Sequence, residues 1–303
     1  MRWKLLLAGL ALVFLVWIGY VGYAAITAHP ELKAHWGDVS EAKTDIIIDG
    51  TLARPLMVPA SIENLTIEFA GIPVARIKEF NYSPTGREIG ILLAVDNHNL
   101  VRALVNYLNN GQKGNVNVIV RGKLLGVVPV NLDLKRSISE NILSRLNFTA
   151  ESKEYFGGIL KSPALVETKF DWAGERNGKA ILLAHMKFYN PNSFPIPIGN
   201  VSYDVYANGI KAAYGSSENG VVLPARGYGN MILKMYIIES ALPKVWELHV
   251  KNGEESRIKA DVFMTINVLN NEYTIKLGSY EETVKSNIMG QLNEMLSNLG
   301  SLK

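Results

Sequence analysis

Histidines and clustered acidic or amide side chains are the residues of this chain that could support catalysis or bind a metal ion. The five histidines are scattered, and none has the four-residue pairing with an intervening glutamate that a zinc-protease helix needs. They are His29, His35, His98, His185 and His249. The densest polar cluster, Asp96-Asn97-His98-Asn99, could hold a metal ion or act as a general base. We favour the alternative, a turn followed by a helix cap, because aspartate and asparagine are common in caps.

Other reactive arrangements do not occur in the sequence. The chain has no cysteine, which excludes disulfide bonds and thiolate metal sites, and it has no Gly-x-Ser-x-Gly elbow and no phosphate-binding P-loop. Glu254-Glu255 and Glu281-Glu282 lie near predicted turns, where paired carboxylates are usually solvated. We therefore predict that the protein is not an enzyme and uses no catalytic residue, no metal and no cofactor.

The stretch Phe188–Ile210 predicts two strands separated by a stiff, proline-rich crossing. Asn190-Pro191 ends an apolar run, because proline lacks a backbone N–H and restricts the residue before it. Apolar residues alternate with polar ones over Val201–Val205, which is the period of a half-buried strand. Asn208-Gly209 then predicts a hairpin turn.

The same arrangement occurs 136 residues earlier in the chain. Residues 36–69 align with residues 172–205 without a gap, and Pro55 falls on Pro191. Beyond this block the register shifts by a few residues at turns, and the turn residues Asn110-Gly111 and Asn252-Gly253 again coincide. Prolines, turn glycines and strand phases that agree over so long a stretch predict two tandem copies of one domain.

The segment Asn190-Pro191-Asn192, followed by alternating prolines and isoleucines, a strand and a turn, resembles the water stress and hypersensitive response (WHy) domain of group 2 late embryogenesis abundant proteins. The resemblance covers residues 164–290 well and residues 30–148 more faintly, because Ala53-Arg54-Pro55 replaces the motif in the first copy. It implies a small β-sandwich with a helix on one side, no established enzymatic activity and an association with desiccation and other stresses. The motif asparagines are expected to be structural, because asparagine side chains bond to the backbone in tight turns.

We predict a mainly β protein with two tandem Greek-key, immunoglobulin-like β-sandwich domains, each with about six or seven strands and one helix. The predicted helix of the first copy is Leu100–Leu108 after a capping Asn99, and that of the second copy begins at Leu242 after Ser240. Trp246 is expected in the core of the second domain, with His249 contributing little. The predicted boundaries are residues 1–29 for an N-terminal transmembrane anchor, 30–148 for the first sandwich, 149–163 for a linker, 164–290 for the second sandwich and 291–303 for a C-terminal amphipathic helix.

The C-terminal residues predict an amphipathic helix. Its apolar stripe consists of Ile288, Leu292, Met295, Leu296 and Leu299. Such a stripe usually marks a helix that docks on its own domain, and a protein or membrane partner is the alternative.

The N-terminal segment Leu5–Ala28 predicts a membrane anchor. It has no charge in 24 residues, and as a helix it would extend about 36 Å against a hydrocarbon core of about 30 Å. A cleavable signal peptide is the alternative, but the apolar region of such a peptide is usually only about 7–15 residues long. Arg2 and Lys4 precede the segment and no basic cluster follows it, so the positive-inside rule predicts a cytoplasmic N-terminus and two extracytoplasmic domains.

The exported part would be almost neutral. Without Arg2 and Lys4 the chain keeps 29 basic and 28 acidic residues, and it has no basic face with interleaved aromatics, so we predict no nucleic-acid partner. Four sequons are candidate glycosylation sites in an exported chain, with turn asparagines that happen to precede serine or threonine as the alternative. These sites are Asn64, Asn81, Asn147 and Asn200.

The sequence favours a membrane-anchored, non-catalytic WHy-domain protein, associated with desiccation or other stress, that acts by binding or shielding outside the membrane. The alternative is an extracytoplasmic module for a lipid or another apolar ligand, and a deep apolar pocket would support it. An envelope enzyme is a third alternative, which needs convergent acids with shifted pKa values in a cleft. The expected partners are the membrane, through the N-terminal helix, and a lipid, an apolar ligand or an envelope protein.

Overall fold

The computed structural model describes residues 30–147, 149–268 and 271–300, together with Leu15, Val16, Tyr20 and Thr27. Within these residues the protein is mainly β, as predicted, and contains two separate seven-stranded sheets and two small two-stranded sheets. Three helices in this part of the chain have ten or more residues.

The first sheet is formed by residues 30–138. Its strands are β1 (Pro30–Val39), β2 (Lys43–Leu52), β3 (Ala60–Phe69), β4 (Ile72–Tyr82), β5 (Glu88–Asp96), β6 (Gly114–Leu124) and β7 (Val128–Ile138), and helix α1 (Asn97–Asn109) follows β5. The order across the sheet is β1-β2-β5-β4-β3-β6-β7, with every neighbouring pair antiparallel. The edge strand β1 takes in Trp36, in a segment for which the sequence predicts no strand.

A connection with short elements follows the first sheet. It contains a 3₁₀ turn at Leu143–Leu146, then β8 (Glu154–Tyr155), a second 3₁₀ turn at Phe156–Gly158 and β9 (Leu160–Lys161). Strands β8 and β9 pair with each other.

The second sheet is formed by residues 164–285. Its strands are β10 (Ala164–Glu175), β11 (Lys179–Tyr189), β13 (Asn200–Ala207), β14 (Ile210–Ser217), β16 (Tyr228–Ile238), β17 (Glu255–Val268) and β18 (Asn271–Lys285). The short strands β12 (Ile196–Ile198) and β15 (Val221–Leu223) form a separate pair. A 3₁₀ turn at Glu239–Ala241 leads into helix α2 (Leu242–Lys251), and α3 (Ile288–Gly300) is the C-terminal helix.

The two large sheets share one connectivity. The order of the second is β10-β11-β16-β14-β13-β17-β18, so its seven strands in chain order occupy the same places as those of the first. The turns also agree in backbone conformation. Ala70 after β3 and Asn208 after β13 are matching positions, with positive φ angles of 48° and 51°. Gln112 and Glu254, which follow α1 and α2, also match, with φ angles of 61° and 62°. The residues after each helix therefore repeat in conformation as well as in type.

The core of the second half lies between the two ends of its sheet. Phe170, Leu182 and Leu233 come from β10, β11 and β16, and they belong to one buried cluster with Val201 and Tyr203 of β13. Such a layer between two parts of a curled sheet is sandwich-like. Two residues of the first half, Leu108 of α1 and Leu143 of the 3₁₀ turn, complete the same cluster.

The core of the first half is completed in turn by the C-terminal helix. Ala34, Ile48 and Leu93, from β1, β2 and β5, form a buried cluster with Leu296 of α3. Asn293 of α3 accepts a hydrogen bond from the N–H of Ala34 (2.6 Å) and donates one to its carbonyl (2.9 Å). The helix therefore docks on the other half of the chain and not on its own domain. We call α3 and the 3₁₀ turn Leu143–Leu146 the exchanged elements.

Three predicted helix ends are corrected by the structure. Helix α1 begins at Asn97, and its cap is Asp96, whose side chain accepts from the N–H of Asn99 (2.9 Å). Ser240 does not cap α2, because it lies within a 3₁₀ turn and the N-cap residue is Ala241, which makes no side-chain bond. Helix α3 begins at Ile288, three residues before the predicted boundary, because a buried carboxylate accepts from its first N–H groups.

The predicted anchor Leu5–Ala28 lies outside the described residues except for Leu15, Val16, Tyr20 and Thr27. Among the residues that the structure describes, no helix has the length and apolar character needed to cross a membrane. The Tyr20 hydroxyl donates a hydrogen bond to the carbonyl of Pro55 (2.9 Å), in the connection between β2 and β3.

Candidate functional site

The two halves meet at a contact that we call the seam. Its residues are Trp36, Thr44, Trp246, His249 and Glu254. The rings of Trp36 and Trp246 meet edge to face, with 6.0 Å between centroids and an interplanar angle of 82°. The Trp246 indole N–H donates to Thr44 Oγ1 (2.9 Å), and Thr44 is completely buried. Trp246 therefore joins the two halves, whereas the sequence predicts it in the core of the second domain alone.

Glu254 is the buried carboxylate of the seam, with 7% of its surface exposed. It accepts hydrogen bonds from the N–H groups of Ile288 and Met289, from Ser286 Oγ (3.0 Å) and from the Trp36 indole N–H (3.2 Å). Burial raises the pKa of Glu254, but these donors outweigh it and hold the pKa below its ordinary value. The prediction of a solvated acid at this position is wrong, because the carboxylate begins α3 and also binds Trp36.

His249 lies in a directional chain of hydrogen bonds. Its Nδ1 is 2.8 Å from Ser256 Oγ and its Nε2 is 2.8 Å from Ser286 Oγ, which donates to Glu254. Because Ser286 gives its hydrogen to Glu254, Nε2 of the histidine must carry a hydrogen and Nδ1 accepts from Ser256. Burial lowers the pKa of His249, although the charge of Glu254 opposes this shift. In this arrangement His249 does not activate the Ser286 hydroxyl, so the chain of bonds stabilises the fold.

The first half contains a counterpart of this arrangement. Gln112 has the place of Glu254, and its Oε1 accepts from the N–H of Leu143 (3.2 Å) at the start of the 3₁₀ turn. The Trp172 indole N–H donates to Asn109 Oδ1 (2.9 Å) at the end of α1. Gln112 and Glu254 each follow the Asn-Gly pair that ends a helix. Gln112 holds the start of the 3₁₀ turn Leu143–Leu146, and Glu254 holds the start of α3. The alignment of Gln112 with Glu254 is the sequence signal that could have found this role.

The two asparagines of the Asn-Pro-Asn motif are buried, and their side chains form hydrogen bonds within the fold. Asn190 is 0% exposed. Its Nδ2 donates to the carbonyls of Phe194 (2.8 Å), Leu223 (3.3 Å) and Pro224 (3.1 Å). Its Oδ1 accepts from the N–H (2.9 Å) and the Nδ2 (2.8 Å) of Asn192. Asn190 therefore holds together the proline crossing and the turn that follows β15.

Asn192 extends the same network to the connection between the halves. Its Oδ1 accepts from the N–H of Lys161 (2.9 Å) and its Nδ2 donates to the carbonyl of that residue (2.7 Å). These two bonds join β9 to the motif in the way that a neighbouring strand would. Pro191, between the two asparagines, contributes no N–H and keeps the turn extended.

The cluster Asp96-Asn97-His98-Asn99 is divided among structural roles. Asp96 caps α1, and Asn97, 1% exposed, accepts from Thr44 Oγ1 (3.0 Å) and donates to the carbonyls of Ser40 and Glu41. Asn99 donates to the carbonyl of Pro73, and His98 is exposed. No group of three or more histidine, aspartate or glutamate side chains is placed to hold a metal ion within the described part of the chain.

A family model described as "Late embryogenesis abundant protein" matches residues 185–277, the region that contains Asn190, Pro191 and Asn192. Residues 185–277 belong to the late embryogenesis abundant family. The resemblance stated from the sequence is confirmed for this region, which we call the LEA region. No curated protein matches the sequence.

Solved structures with weak similarity include a protein from Archaeoglobus fulgidus, which is 21% identical, with 41% of this chain and 98% of that chain covered and a TM-score of 0.33. A solution structure from Arabidopsis thaliana is 20% identical, with 45% and 91% covered and a TM-score of 0.28. A conserved domain protein from Bacillus anthracis is 9% identical, with 85% and 88% covered and a TM-score of 0.18.

The four sequon asparagines are exposed. Asn64 lies in β3, Asn81 in β4 and Asn200 in β13 of the LEA region, whereas Asn147 follows the 3₁₀ turn. Three of the four are therefore strand residues, not the turn residues of the alternative interpretation. Glycosylation of these asparagines stays a prediction.

Two surface grooves carry charged side chains in their linings. The LEA region contributes to a groove of 670 Å³ whose lining includes Tyr206, Arg257, Lys259, Asp261 and Glu281. A groove of 560 Å³ on the first half is lined by residues that include Glu31, Lys33, Asp49 and Asn293. Charged side chains on both linings do not match the deep apolar pocket that a lipid-binding module needs.

Proposed function

We propose that the protein is held in the cell membrane by one N-terminal span and protects cells against desiccation or a related stress by binding or shielding outside the membrane. The observation that carries the proposal is the family match of residues 185–277, because membership of this family suggests a stress-related protein. We further propose that each seven-stranded sheet is a Greek-key sandwich, an inference supported by their shared strand order.

A non-catalytic role is supported by the way in which the fold uses its polar side chains. Asn190, Asn97 and Glu254 are buried, and all are engaged in hydrogen bonds that hold turns or helix ends. A reactive group needs a free acceptor or an activated donor that faces a substrate. The side chains of these residues instead form hydrogen bonds within the chain. The proposed activity therefore depends on the folded surface.

The anchor is supported by the uncharged segment Leu5–Ala28 and by the two basic residues that precede it. In this arrangement the N-terminus is cytoplasmic and residues 30–303 are extracytoplasmic. Protease added to intact cells is expected to remove the exterior part and leave the segment in the membrane. Complete protection would contradict the orientation, and a mature chain that begins near His29 would replace the anchor with a signal peptide.

The protective role is tested by survival of drying or osmotic shock. The comparison uses cells with the intact protein, a form without Leu5–Ala28, or the variants Asp96→Ala, His98→Ala and His185→Ala, and cells without the protein. Folded point variants are expected to protect as well as the intact protein, and the untethered form less well. Equal survival in every strain would contradict the protective role, and selective loss in one folded variant would indicate a discrete site.

The alternative of an apolar-ligand module has less support. Two residues of the apolar stripe of α3, Leu292 and Leu296, pack on the first half together with the neighbouring Met289 and are therefore not free to bind such a ligand. Delipidated and native preparations of the full chain, compared by mass spectrometry, would reveal a bound lipid if the alternative holds.

A further inference from the structure

An apolar strip is exposed at the outer edge of the first sheet. β7 is the last strand of that sheet, and its residues from Val128 to Ser137 are all exposed. Exposed apolar side chains continue through the connection from β6 to β7. They are Leu124 (39%), Leu125 (44%), Val127 (77%), Val128 (47%), Val130 (38%), Leu132 (44%) and Leu134 (53%). So large a contiguous apolar patch usually marks an interaction surface.

The tip of this hairpin places bulky apolar residues in an unfavourable backbone conformation. Leu125 has a φ of 56° and Gly126 a φ of 70°. Asparagine, aspartate or glycine is the usual choice at such positions, because a Cβ is crowded in the left-handed region. Met57 has the same φ of 56° and is 41% exposed. Leucine and methionine are unusual residues at exposed positions with this backbone conformation, which points to a role for their side chains at the surface.

Both positions lie at the end of the sheet where the uncharged N-terminal segment leads into β1. Pro30, the first residue of β1, pairs with Leu52 at the end of β2, and Thr51 pairs with Glu88 at the start of β5. Strands β5, β4 and β3 are antiparallel neighbours, so the start of β3 lies at this same end of the sheet. Ala60, the first residue of β3, pairs there with Leu124.

Two hydrogen bonds connect the parts of this end. The N–H of Leu125 donates to the carbonyl of Pro59 (2.7 Å), so the hairpin tip lies against the connection that carries Met57. The Tyr20 hydroxyl donates to the carbonyl of Pro55 in the same connection (2.9 Å). A described residue of the N-terminal segment therefore lies at the end of the sheet that also holds the apolar tip.

We propose that Met57, Leu124, Leu125, Val127 and Val128 insert into the interfacial layer of the lipid bilayer and form a second membrane contact beside the anchor. This inference rests on the proposed anchor. A second apolar contact fixes the orientation of the first half relative to the membrane, which one span alone does not do.

The charges beside the tip favour an apolar contact, not an electrostatic one. Lys123 pairs with Glu63 (2.5 Å), and Arg121 pairs with Asp133 (2.6 Å). Because both cations are paired, the tip presents no unpaired basic cluster among these neighbours that would select anionic headgroups. Phosphatidylcholine vesicles are therefore a sufficient probe.

The experiment uses the full chain, whose lack of cysteine allows single labels. Val127→Cys places an environment-sensitive fluorophore at the tip. Lys113→Cys, beside the other end of β6, and Val222→Cys, an exposed apolar position (64%) in the LEA region, are the controls. Each labelled chain is reconstituted into phosphatidylcholine vesicles with and without lipids that carry a nitroxide near the headgroup, and flotation measures vesicle association.

The expected result is vesicle association of all three chains, with emission at position 127 quenched roughly twofold and little quenching at the controls, as for an interfacial contact. Leu125→Asp in the Val127→Cys chain should abolish the quenching and leave flotation unchanged. Association without quenching at position 127 would overturn the second contact and leave the anchor intact. Failure to float would overturn both. In a separate sample the Val127→Cys chain is left unlabelled and exposed to an added oxidant such as copper phenanthroline; disulfide-linked dimers would show that a second copy covers the strip, and would also overturn the proposal.

Discussion

At the scale of single residues, the motif asparagine shows how a family signature can be structural. We predict that Asn190→Ala destabilises the protein by about 3 kcal/mol, because three carbonyls, one of them in a fully buried bond, lose their donor at once. Urea unfolding measures the loss. Asn200→Ala, at an exposed position of β13, is the matched control and should change stability by less than about 0.5 kcal/mol. Equal effects of the two substitutions would contradict a structural role of the motif.

Glu254 should make stability depend on acid pH. Its carboxyl has a pKa below the ordinary value of 4.5 in the folded state, so the unfolded chain binds the proton more readily. The stabilisation is therefore complete above pH 4.5 and is lost as the pH falls through the lower folded pKa. We predict that Glu254→Gln, which installs the residue of the first copy, flattens this part of the unfolding curve. Glu218→Gln, at an exposed position, is the control for the substitution itself and should change stability at pH 7 by less than about 0.5 kcal/mol, and an unchanged pH profile for Glu254→Gln would contradict the prediction.

His249 should contribute to the stability of the folded protein, whereas the sequence predicts that it contributes little. We predict that His249→Ala costs about 1–3 kcal/mol at pH 8, because the buried Ser256 hydroxyl loses its acceptor. Because the folded pKa lies below 6.5, the unmodified protein loses stability as the pH falls from 6.5 through the folded pKa, and the difference between the two proteins should shrink. Chemical unfolding at several pH values tests this. His185→Ala, at a more exposed ring beside Asp171, is the control and should cost less than about 0.5 kcal/mol at pH 8.

At the scale of elements, the hairpin between β6 and β7 should be stabilised by a residue that suits its backbone. We predict that Leu125→Asn raises stability by about 1 kcal/mol, because asparagine tolerates a positive φ better than leucine does. Thermal unfolding measures the change. Val127→Asn is the matched control, because it removes a neighbouring exposed apolar side chain at a position without a positive φ. Stabilisation by both substitutions would assign the effect to lost hydrophobic exposure, not to backbone strain.

The elements show what local sequence patterns can predict. The segment Leu100–Leu108 and the following Asn-Gly pair indicate α1, and the alternation over Val201–Val205 indicates β13, because these signals lie within a few residues. The cap of α1 could not be assigned to Asp96 over Asn99, since both residue types suit a cap. The edge strand β1 was not predicted, because the bonds that fix it come from β2 and from α3, far along the chain.

At the scale of the whole molecule, the repeat could be predicted from sequence but the way in which the copies assemble could not. Aligned prolines and turns revealed two similar units, and both sheets have one strand order. The docking of α3 on β1 depends on contacts such as Asn293 with Ala34, separated by 259 residues, for which a single sequence gives no local signal. For the same reason the sequence predicts a solvated Glu254 and places Trp246 in one core, although both residues lie in the seam.

The exchange of covering elements makes each half depend on the other. Leu143, from the connection after the first sheet, lies in the core of the second half, and Leu296, at the end of the chain, lies in the core of the first. The proposed shielding surface would then be presented by one rigid unit, because neither half buries its core alone.

Hydrogen exchange of the Leu296→Ala variant is the most direct test of this account. Leu296 is 8% exposed, and its truncation should cost about 2–5 kcal/mol. The account predicts faster amide exchange in β1, β2 and β5, although the substituted residue follows the second sheet in the chain. Ser297→Ala, at the neighbouring exposed position of α3, should leave exchange unchanged. Faster exchange confined to residues 164–285, with the first sheet unaffected, would contradict the exchange of elements between the halves.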